Sequence, residues 1–114
     1  MHEFSITQDM INVVVDQAKK SGARKVKRVS LALGELSSVT EESVNFCFQA
    51  LSKGTIAEGA ELIFRTVPAT YRCHQCQEQF SGEEDRLTCP RCGGSQISLV
   101  EGNDILVESI EAEA

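Results

Sequence analysis

The second half of the chain carries two Cys-x-x-Cys motifs separated by twelve residues. Their four thiols are those of Cys73, Cys76, Cys89 and Cys92. Each motif forms a tight turn that directs two thiolates at one position, and Gly93 and Gly94 relax the backbone after the second motif. Four thiolates form the tetrahedral sulfur cage of a structural zinc site. The spacing therefore predicts a zinc-binding segment over residues 71–98, whose few apolar side chains would depend on the metal for folding.

Two other kinds of cysteine site share part of this pattern. The sequence Cys-Pro-Arg-Cys-Gly at the second motif resembles the iron site of rubredoxins. A thioredoxin-like redox pair requires a single Cys-x-x-Cys motif at the N-terminus of a helix, whereas these motifs lie in a turn-rich segment. Zinc is the favoured metal, and iron remains the alternative.

Two further residues that could bind metal, His74 and Cys47, have simpler structural interpretations. His74, inside the first motif, is expected to point to solvent, and Cys47 lies on the apolar side of a predicted helix, where it would fill the core. Three arginines surround the motifs and could offset the negative charge of a zinc tetrathiolate, namely Arg72, Arg86 and Arg91.

The chain start, Met1-His2-Glu3, offers a second set of metal donors of a different chemical type. The amine of Met1, the backbone nitrogen of His2 and its imidazole can bind one ion through a five-membered and a six-membered chelate ring. Glu3 can supply a fourth donor through its backbone nitrogen or its carboxylate. Nitrogen donors in one plane suit Ni(II) or Cu(II) better than zinc. The alternative is that Glu3 only complements the dipole of a helix N-terminus.

Composition narrows the range of functions. The 114 residues carry a net charge of −6, with 5% aromatic residues and no Trp, which argues against nucleic-acid binding. There is no stretch of roughly 20 apolar residues and no signal-peptide pattern at the N-terminus, so we expect neither a membrane span nor secretion. The expected location is the cytoplasm, where thiols stay reduced and five cysteines indicate metal ligands or core residues before disulfides.

Apolar periodicity predicts the elements that position these groups. Helical spacing covers residues 4–20 and a segment that ends near Lys53-Gly54, and alternation predicts strands at 25–33, 60–67 and from Ile105 onward. The sequence thus predicts an α+β fold with a small three-stranded sheet and two covering helices. The cysteine segment would be inserted between two strands of that sheet. Two pairs have the spacing of a helical capping box, Ser5 with Gln8 and Ser38 with Glu41. For the first helix, a start nearer Glu3 is the alternative.

Four segments occur together in an order that is specific to one family. They are Met1-His2-Glu3, the sequence GELS at 34–37, the sequence GTIAEGA at 54–60, and the paired cysteine motifs. Over essentially its whole length the chain closely resembles the HypA/HybF family, nickel-incorporation accessory proteins for [NiFe]-hydrogenase maturation.

The resemblance implies both a domain division and a set of ligands. It implies a nickel-binding domain over residues 1–70, completed by a C-terminal strand at 99–114, and a zinc-ribbon domain over residues 71–98. The family's nickel ligands correspond to Met1, His2 and Glu3, and its zinc ligands to the four cysteines of the two motifs. Some relatives carry histidines just beyond these motifs, whereas here the extra histidine is His74, inside the first.

The resemblance also implies an activity and its partners. Members of this family deliver Ni(II) to the hydrogenase large-subunit precursor together with a HypB-type GTPase, and some also support urease. A homodimer is left open. Two competing functions are a zinc-ribbon adaptor that only docks proteins and a rubredoxin-like electron carrier, whose iron site would be red. An enzyme is not expected, because the sequence has no nucleophile with a local base and no glycine-rich phosphate loop.

Overall fold

The computed structural model of the chain describes residues 2–81 and 88–114, with His2 described only in its backbone. These residues form two helices and six strands with the bounds α1 His2–Lys20, β1 Lys25–Gly34, α2 Glu41–Leu51, β2 Glu61–Val67, β3 Thr70–Cys73, β4 Gln79–Ser81, β5 Ile97–Glu101 and β6 Ile105–Glu113. Within the described ranges, neither helix has the length and apolar character needed to cross a membrane.

The first sheet has three strands in the order β2-β1-β6, with β1 in the centre. β1 pairs with β2 in parallel, so that Leu31 lies opposite Phe64, and with β6 antiparallel, so that Leu31 lies opposite Val107. The parallel pair requires a crossover, which α2 provides between β1 and β2. The three-stranded sheet and the two helices predicted from periodicity are therefore confirmed.

One face of this sheet is covered by both helices and holds the core. Val29 and Leu31 of β1 are fully buried there, together with Val14 of α1 and Phe48 of α2. The opposite face is exposed and mixed in character. It carries the apolar side chains of Ile63 and Leu106, and on it the Arg28 guanidinium pairs with the carboxylates of Glu61 and Glu111. These exposed ion pairs add little stability compared with the buried apolar face.

Both helices begin at residues other than those predicted from capping-box spacing. α1 begins at His2, which agrees with the alternative start near Glu3, so Ser5 lies inside the helix. The N-cap of α2 is Thr40 and not Ser38, and its side chain accepts a hydrogen bond from the backbone N–H of Ser43 at 3.1 Å. Ser43 returns the bond by accepting from the Thr40 N–H at 3.0 Å, which is the role that Glu or Gln usually has in this motif.

Packing explains why α2 starts at this point. Val39 precedes the N-cap and Val44 is the fourth residue of the helix, and both side chains are buried in the core. Apolar residues at these two positions form a hydrophobic staple that sets the angle at which the chain enters the helix. The burial of Val39 therefore places the cap at Thr40.

The second sheet is antiparallel, with the order β4-β3-β5. β3 is its central strand, and Cys73 at the end of β3 lies opposite Ile97 of β5. The strand predicted from Ile105 onward is confirmed as β6. The longer strand that the resemblance implied over residues 99–114 is divided: residues 97–101 pair with β3, and residues 105–113 pair with β1. Gly102 separates the two parts, with a φ of +108° that L side chains rarely adopt.

Where the chain passes from β5 to β6, the backbone of Gly102 lies close to that of Gly34 at the end of β1. The N–H of Gly34 donates to the carbonyl of Asp104 at 2.8 Å, and the N–H of Leu36 donates to that of Gly102 at 2.7 Å. A Cβ atom added to Gly34 would lie 2.3 Å from the carbonyl carbon and oxygen of Gly102. Glycine at position 34, in the sequence GELS, is therefore required by close approach of the backbone.

Candidate metal centre

The two cysteine motifs form turns with the same backbone hydrogen bonds. In the first, the N–H of Gln77 donates to the carbonyl of Cys73 at 2.9 Å; in the second, the N–H of Gly93 donates to that of Cys89 at 2.8 Å. The first cysteine of each motif also donates its N–H to the carbonyl five residues later, at 2.9 Å in both turns. The turns are thus local equivalents, and each fixes two thiols before any metal binds.

Gln77 and Gly93 occupy equivalent positions, directly after the second cysteine of each motif. Both have positive φ angles, 66° for Gln77 and 73° for Gly93. Among the described residues other than glycine, Gln77 alone has a positive φ, a conformation that costs roughly 1–2 kcal/mol for an L side chain. Sequence reasoning recognised Gly93 and missed Gln77, although its place after the first motif gave the signal.

The four sulfur atoms are arranged to enclose a single ion. All four Sγ atoms lie within 4.8 Å of one another. The Sγ atoms of Cys73 and Cys92 are 3.6 Å apart, and those of Cys76 and Cys89 are 3.4 Å apart. A tetrahedral zinc site with Zn–S bonds of about 2.3 Å has S–S separations of roughly 3.8 Å. The donor set and its spacing therefore fit zinc, and the structure brings together the four cysteines predicted from the sequence.

Backbone donors prepare the Cys89 sulfur for the thiolate state. The N–H groups of Arg91 and Cys92 each donate to it at 3.4 Å. Desolvation raises the pKa of the Cys89 thiol, but the N–H groups of Cys92 and Arg91 outweigh desolvation and lower this pKa to about 7. Cys89 is therefore the thiol of this cage that the protein itself helps to ionise.

The thiols of Cys76 and Cys92 hold their protons more strongly. A hydrogen bond from the backbone of Glu78 lowers the pKa of Cys76, but desolvation and the neighbouring thiols outweigh it and raise this pKa to about 12. The N–H of Gly94 lowers the pKa of Cys92, yet contact with Cys73 contributes to a net rise. Four adjacent thiolates repel one another, so a divalent cation must replace these protons before all four sulfurs can act as ligands.

The sheet that carries the cage contains a pair of contacting aromatic rings. The rings of Tyr71 and Phe80, on neighbouring strands, lie 6.0 Å apart between centroids. Arg91 was expected to offset the charge of the cage, but its guanidinium pairs with the Glu78 carboxylate at 3.1 Å. Arg72 is exposed on β3, and Arg86 lies outside the described residues.

The predicted nickel ligands, Met1, His2 and Glu3, are the first three residues of the sequence. Met1 lies outside the described residues, and His2 is the first residue of α1. Glu3 is half-buried and lines a surface depression together with Phe4 of α1 and residues of α2. Among the side chains that the structure describes, metal-ligand geometry unites the cysteine cluster alone.

The two remaining residues with possible metal or redox chemistry lie as predicted. Cys47 is buried on α2. His74 is exposed, and its backbone N–H donates to the carbonyl of Gln96 at 2.9 Å. Neither side chain belongs to the four-sulfur cluster.

Comparison with known proteins gives matches over nearly the whole chain. The family model described as "Hydrogenase/urease nickel incorporation, metallochaperone, hypA" matches residues 1–112. A hydrogenase maturation factor HypA of Dehalococcoides mccartyi is 41% identical over 113 residues, which cover 99% of this chain and 95% of that protein. HypA of Caldanaerobacter subterraneus is 40% identical over 114 residues, which cover 99% of this chain and 100% of that one.

Solved structures share the fold. The solution structure of the Ni metallochaperone HypA from Helicobacter pylori has a TM-score of 0.77 at 23% identity and covers 98% of this chain and 97% of its own. A second solution structure of a HypA protein has a TM-score of 0.81 at 24% identity, with coverages of 98% and 96%. The α+β class predicted from the sequence is confirmed by these likenesses.

Proposed function

The chain belongs to the HypA family of nickel-incorporation metallochaperones, and on that premise we propose that it binds Ni(II) at its N-terminus and delivers it to the [NiFe]-hydrogenase large-subunit precursor. The family consists of metallochaperones and not enzymes. In this proposal Met1, His2 and Glu3 hold the nickel, and a HypB-type GTPase assists the transfer in the cytoplasm. Hydrogenase is the proposed acceptor because the curated relatives are named hydrogenase maturation factors.

The observation that best supports the nickel site is the start of α1 at His2. The first four N–H groups of a helix have no carbonyl partner within the helix. The backbone nitrogens of His2 and Glu3 are therefore free of helical hydrogen bonds and can lose a proton to nickel without breaking the helix. Together with the amine of Met1 and the imidazole of His2, they supply nitrogen donors of the kind that Ni(II) accepts. The amine, the His2 backbone nitrogen and the imidazole would share one plane, and the Glu3 nitrogen would bind outside it.

We propose a structural role for the metal in the cysteine cage. Zinc there would be held by Cys73, Cys76, Cys89 and Cys92 and would supply a fixed cross-link between the two turns. Two of these residues are buried, with 0% exposure for Cys73 and 3% for Cys89, which favours a retained ion over an exchanged one. The two sheets accordingly correspond to two proposed units, a nickel domain built on β2-β1-β6 and a zinc ribbon built on β4-β3-β5.

The proposal is tested by measuring both metals in untagged protein and in the variant His2→Ala. The substitution removes the imidazole donor of the chelate, so Ni(II) binding measured by calorimetry should fall strongly while zinc content stays unchanged. Cys89→Ser should lose zinc, and Cys47→Ser, which alters a cysteine outside the cage, should keep both metals. Nickel affinity that survives His2→Ala would refute the N-terminal site.

A further inference from the structure

β6 has an open outer edge. It is the outer strand of the first sheet, and in the described part of the chain it pairs with β1 alone. The carbonyl of Asp104 accepts from the N–H of Gly34 at 2.8 Å, so the backbone groups of Asp104 point toward β1. Because these groups alternate in direction along an antiparallel strand, those of Ile105 and Val107 point away from β1. Each of these two residues therefore offers one donor and one acceptor to an added strand.

α1 runs beside this edge and forms a groove of about 540 Å³ with it. One wall is residues 103–107, which lead into β6. The other wall is a single face of α1, with residues spaced by three and four positions, namely Ile6, Asp9, Met10 and Val13. Val13 is 50% exposed, so apolar surface in the groove is open to solvent. A helix that flanks an open strand edge leaves space for an extended segment, which binds by adding a strand to the sheet.

The groove carries one carboxylate on each wall. Asp9 is exposed on α1, and Asp104 is exposed directly before β6. Neither forms an ion pair with any residue that the structure describes, and the other side chains that line the groove carry no charge. The electrostatic complement of this surface is a cationic segment with apolar side chains. The same carboxylates repel the phosphates of nucleic acids and of anionic lipids.

We propose that the groove between α1 and β6 binds an extended segment of a partner protein, which adds to the sheet at Ile105 and Val107 and carries a Lys or Arg beside two branched apolar residues. Side chains of a strand point alternately to its two faces, so the apolar residues of the segment occupy every second position, where they contact α1. The cation of the segment lies near Asp9 and Asp104. This inference goes beyond the proposed nickel function and does not rest on it, because the groove contains none of the proposed metal ligands.

Selection of random heptapeptides displayed on phage, with zinc-loaded protein as the target, tests the predicted chemistry of the segment. The expected result is enrichment of peptides in which two branched apolar residues flank one other residue and a Lys or Arg is present. Amide hydrogen exchange measured by NMR then tests how the strongest of these peptides binds. Exchange should slow at Ile105 and Val107, whose N–H groups face the added strand, and stay unchanged at Leu106, whose N–H faces β1.

Substitutions on the two walls test the contacts of the same peptide. Asp9→Asn and Asp104→Asn should each weaken binding by roughly two- to fivefold, the range of an exposed ion pair. The double variant Asp9→Lys/Asp104→Lys should instead prefer a peptide in which Glu replaces the cation. Val13→Ser removes apolar contact and should weaken binding by roughly three- to tenfold. The matched control is Ile63→Ser, which alters a side chain 43% exposed on the open face of the same sheet and should leave binding unchanged.

Three results would overturn the proposal. The first is a selection that enriches no peptides of this pattern. The second is a bound peptide that leaves amide exchange at Ile105 and Val107 unchanged, which would exclude strand addition at this edge. The third is a cationic peptide that binds Asp9→Lys/Asp104→Lys as tightly as the parent. All the substituted side chains are exposed, so thermal melts of the variants should match that of the parent and separate lost binding from lost folding.

Discussion

The contact of Gly34 with Gly102 makes a specific prediction about Gly34→Ala. The new methyl carbon would lie 2.3 Å from the carbonyl carbon and oxygen of Gly102 and 2.7 Å from the backbone nitrogen of Asn103. Ordinary contacts between carbon atoms lie at about 3.5–4.0 Å, so the backbone would have to separate by more than about 1 Å.

The structure leaves little room for that movement. The N–H of Gly34 and that of Leu36 are both bonded to carbonyls of the opposing segment, at 2.8 and 2.7 Å. On its other side, Gly102 approaches Ala69 so closely that an added Cβ would lie 2.6 Å from the Ala69 Cα. Gly102 therefore cannot retreat without disturbing the start of β3.

The expected loss of stability follows from these contacts. Overpacking in a well-packed site costs about 1–3 kcal/mol, and the rigid backbone on both sides places Gly34→Ala at the upper end. The loss of unfolded-state entropy on replacing glycine by alanine offsets about 0.4–1 kcal/mol of this cost. A net loss of about 2–2.6 kcal/mol lowers Tm by roughly 10–20 °C in a domain of this size.

The assay is a thermal melt followed by far-ultraviolet circular dichroism, which reports on the two helices that pack on the first sheet. Gly54→Ala is the matched control, because Gly54 has a φ of +81° but nothing within 4 Å of an added Cβ. Its cost is backbone strain alone, about 1–2 kcal/mol. A Tm for Gly34→Ala equal to or above that of Gly54→Ala would refute the argument from close contact.

Three further predictions concern the metal cage. Gly93→Ala should lower the stability of zinc-loaded protein by about 1–2 kcal/mol in a thermal melt, because its positive φ is the obstacle and an added Cβ has open space. Gln77→Gly relieves the equivalent strain and should raise the Tm of zinc-loaded protein. A lower Tm for Gln77→Gly would contradict the assigned backbone conformation. Zinc affinity measured by chelator competition should fall as the pH decreases from about 8 to about 6, because protons compete with the metal for the thiols. Cys76, with a pKa of about 12, must give up a proton throughout this range, and Cys89 regains one as the pH falls through about 7. An affinity independent of pH would contradict the assigned thiol states.

The parts of the fold predicted correctly are those that a local pattern specifies. Alternation of apolar residues identified β1, because its buried face follows every second residue over Val29, Leu31 and Leu33. The spacing of the two cysteine motifs identified the cage, because each turn is short enough for its sequence to determine its shape. These features can be predicted from local sequence without knowing which strands pair.

The parts that were missed depend on contacts between distant residues. The N-cap of α2 is Thr40 because Val39 is buried with Val44, and the spacing of Ser38 and Glu41 does not reveal that burial. The division of the C-terminal strand at Gly102 depends on the approach of Gly34, which lies far away in sequence. Both are decided by tertiary packing, which outweighs local preference.

The two proposed metal sites differ in how strongly the fold constrains their donors, and this difference bears on retention and exchange. The cage takes its four sulfurs from two turns, each fixed by two backbone hydrogen bonds of 2.8–2.9 Å, so release of its ion requires both turns to separate. The backbone nitrogens proposed for nickel belong to the first residues of α1, and their N–H groups have no carbonyl partner within the helix. Such a chain end can exchange one ligand at a time with an acceptor while the core stays folded. In this proposal the same chain retains one metal and transfers another, because only the first would be bound by residues that the fold holds on both sides.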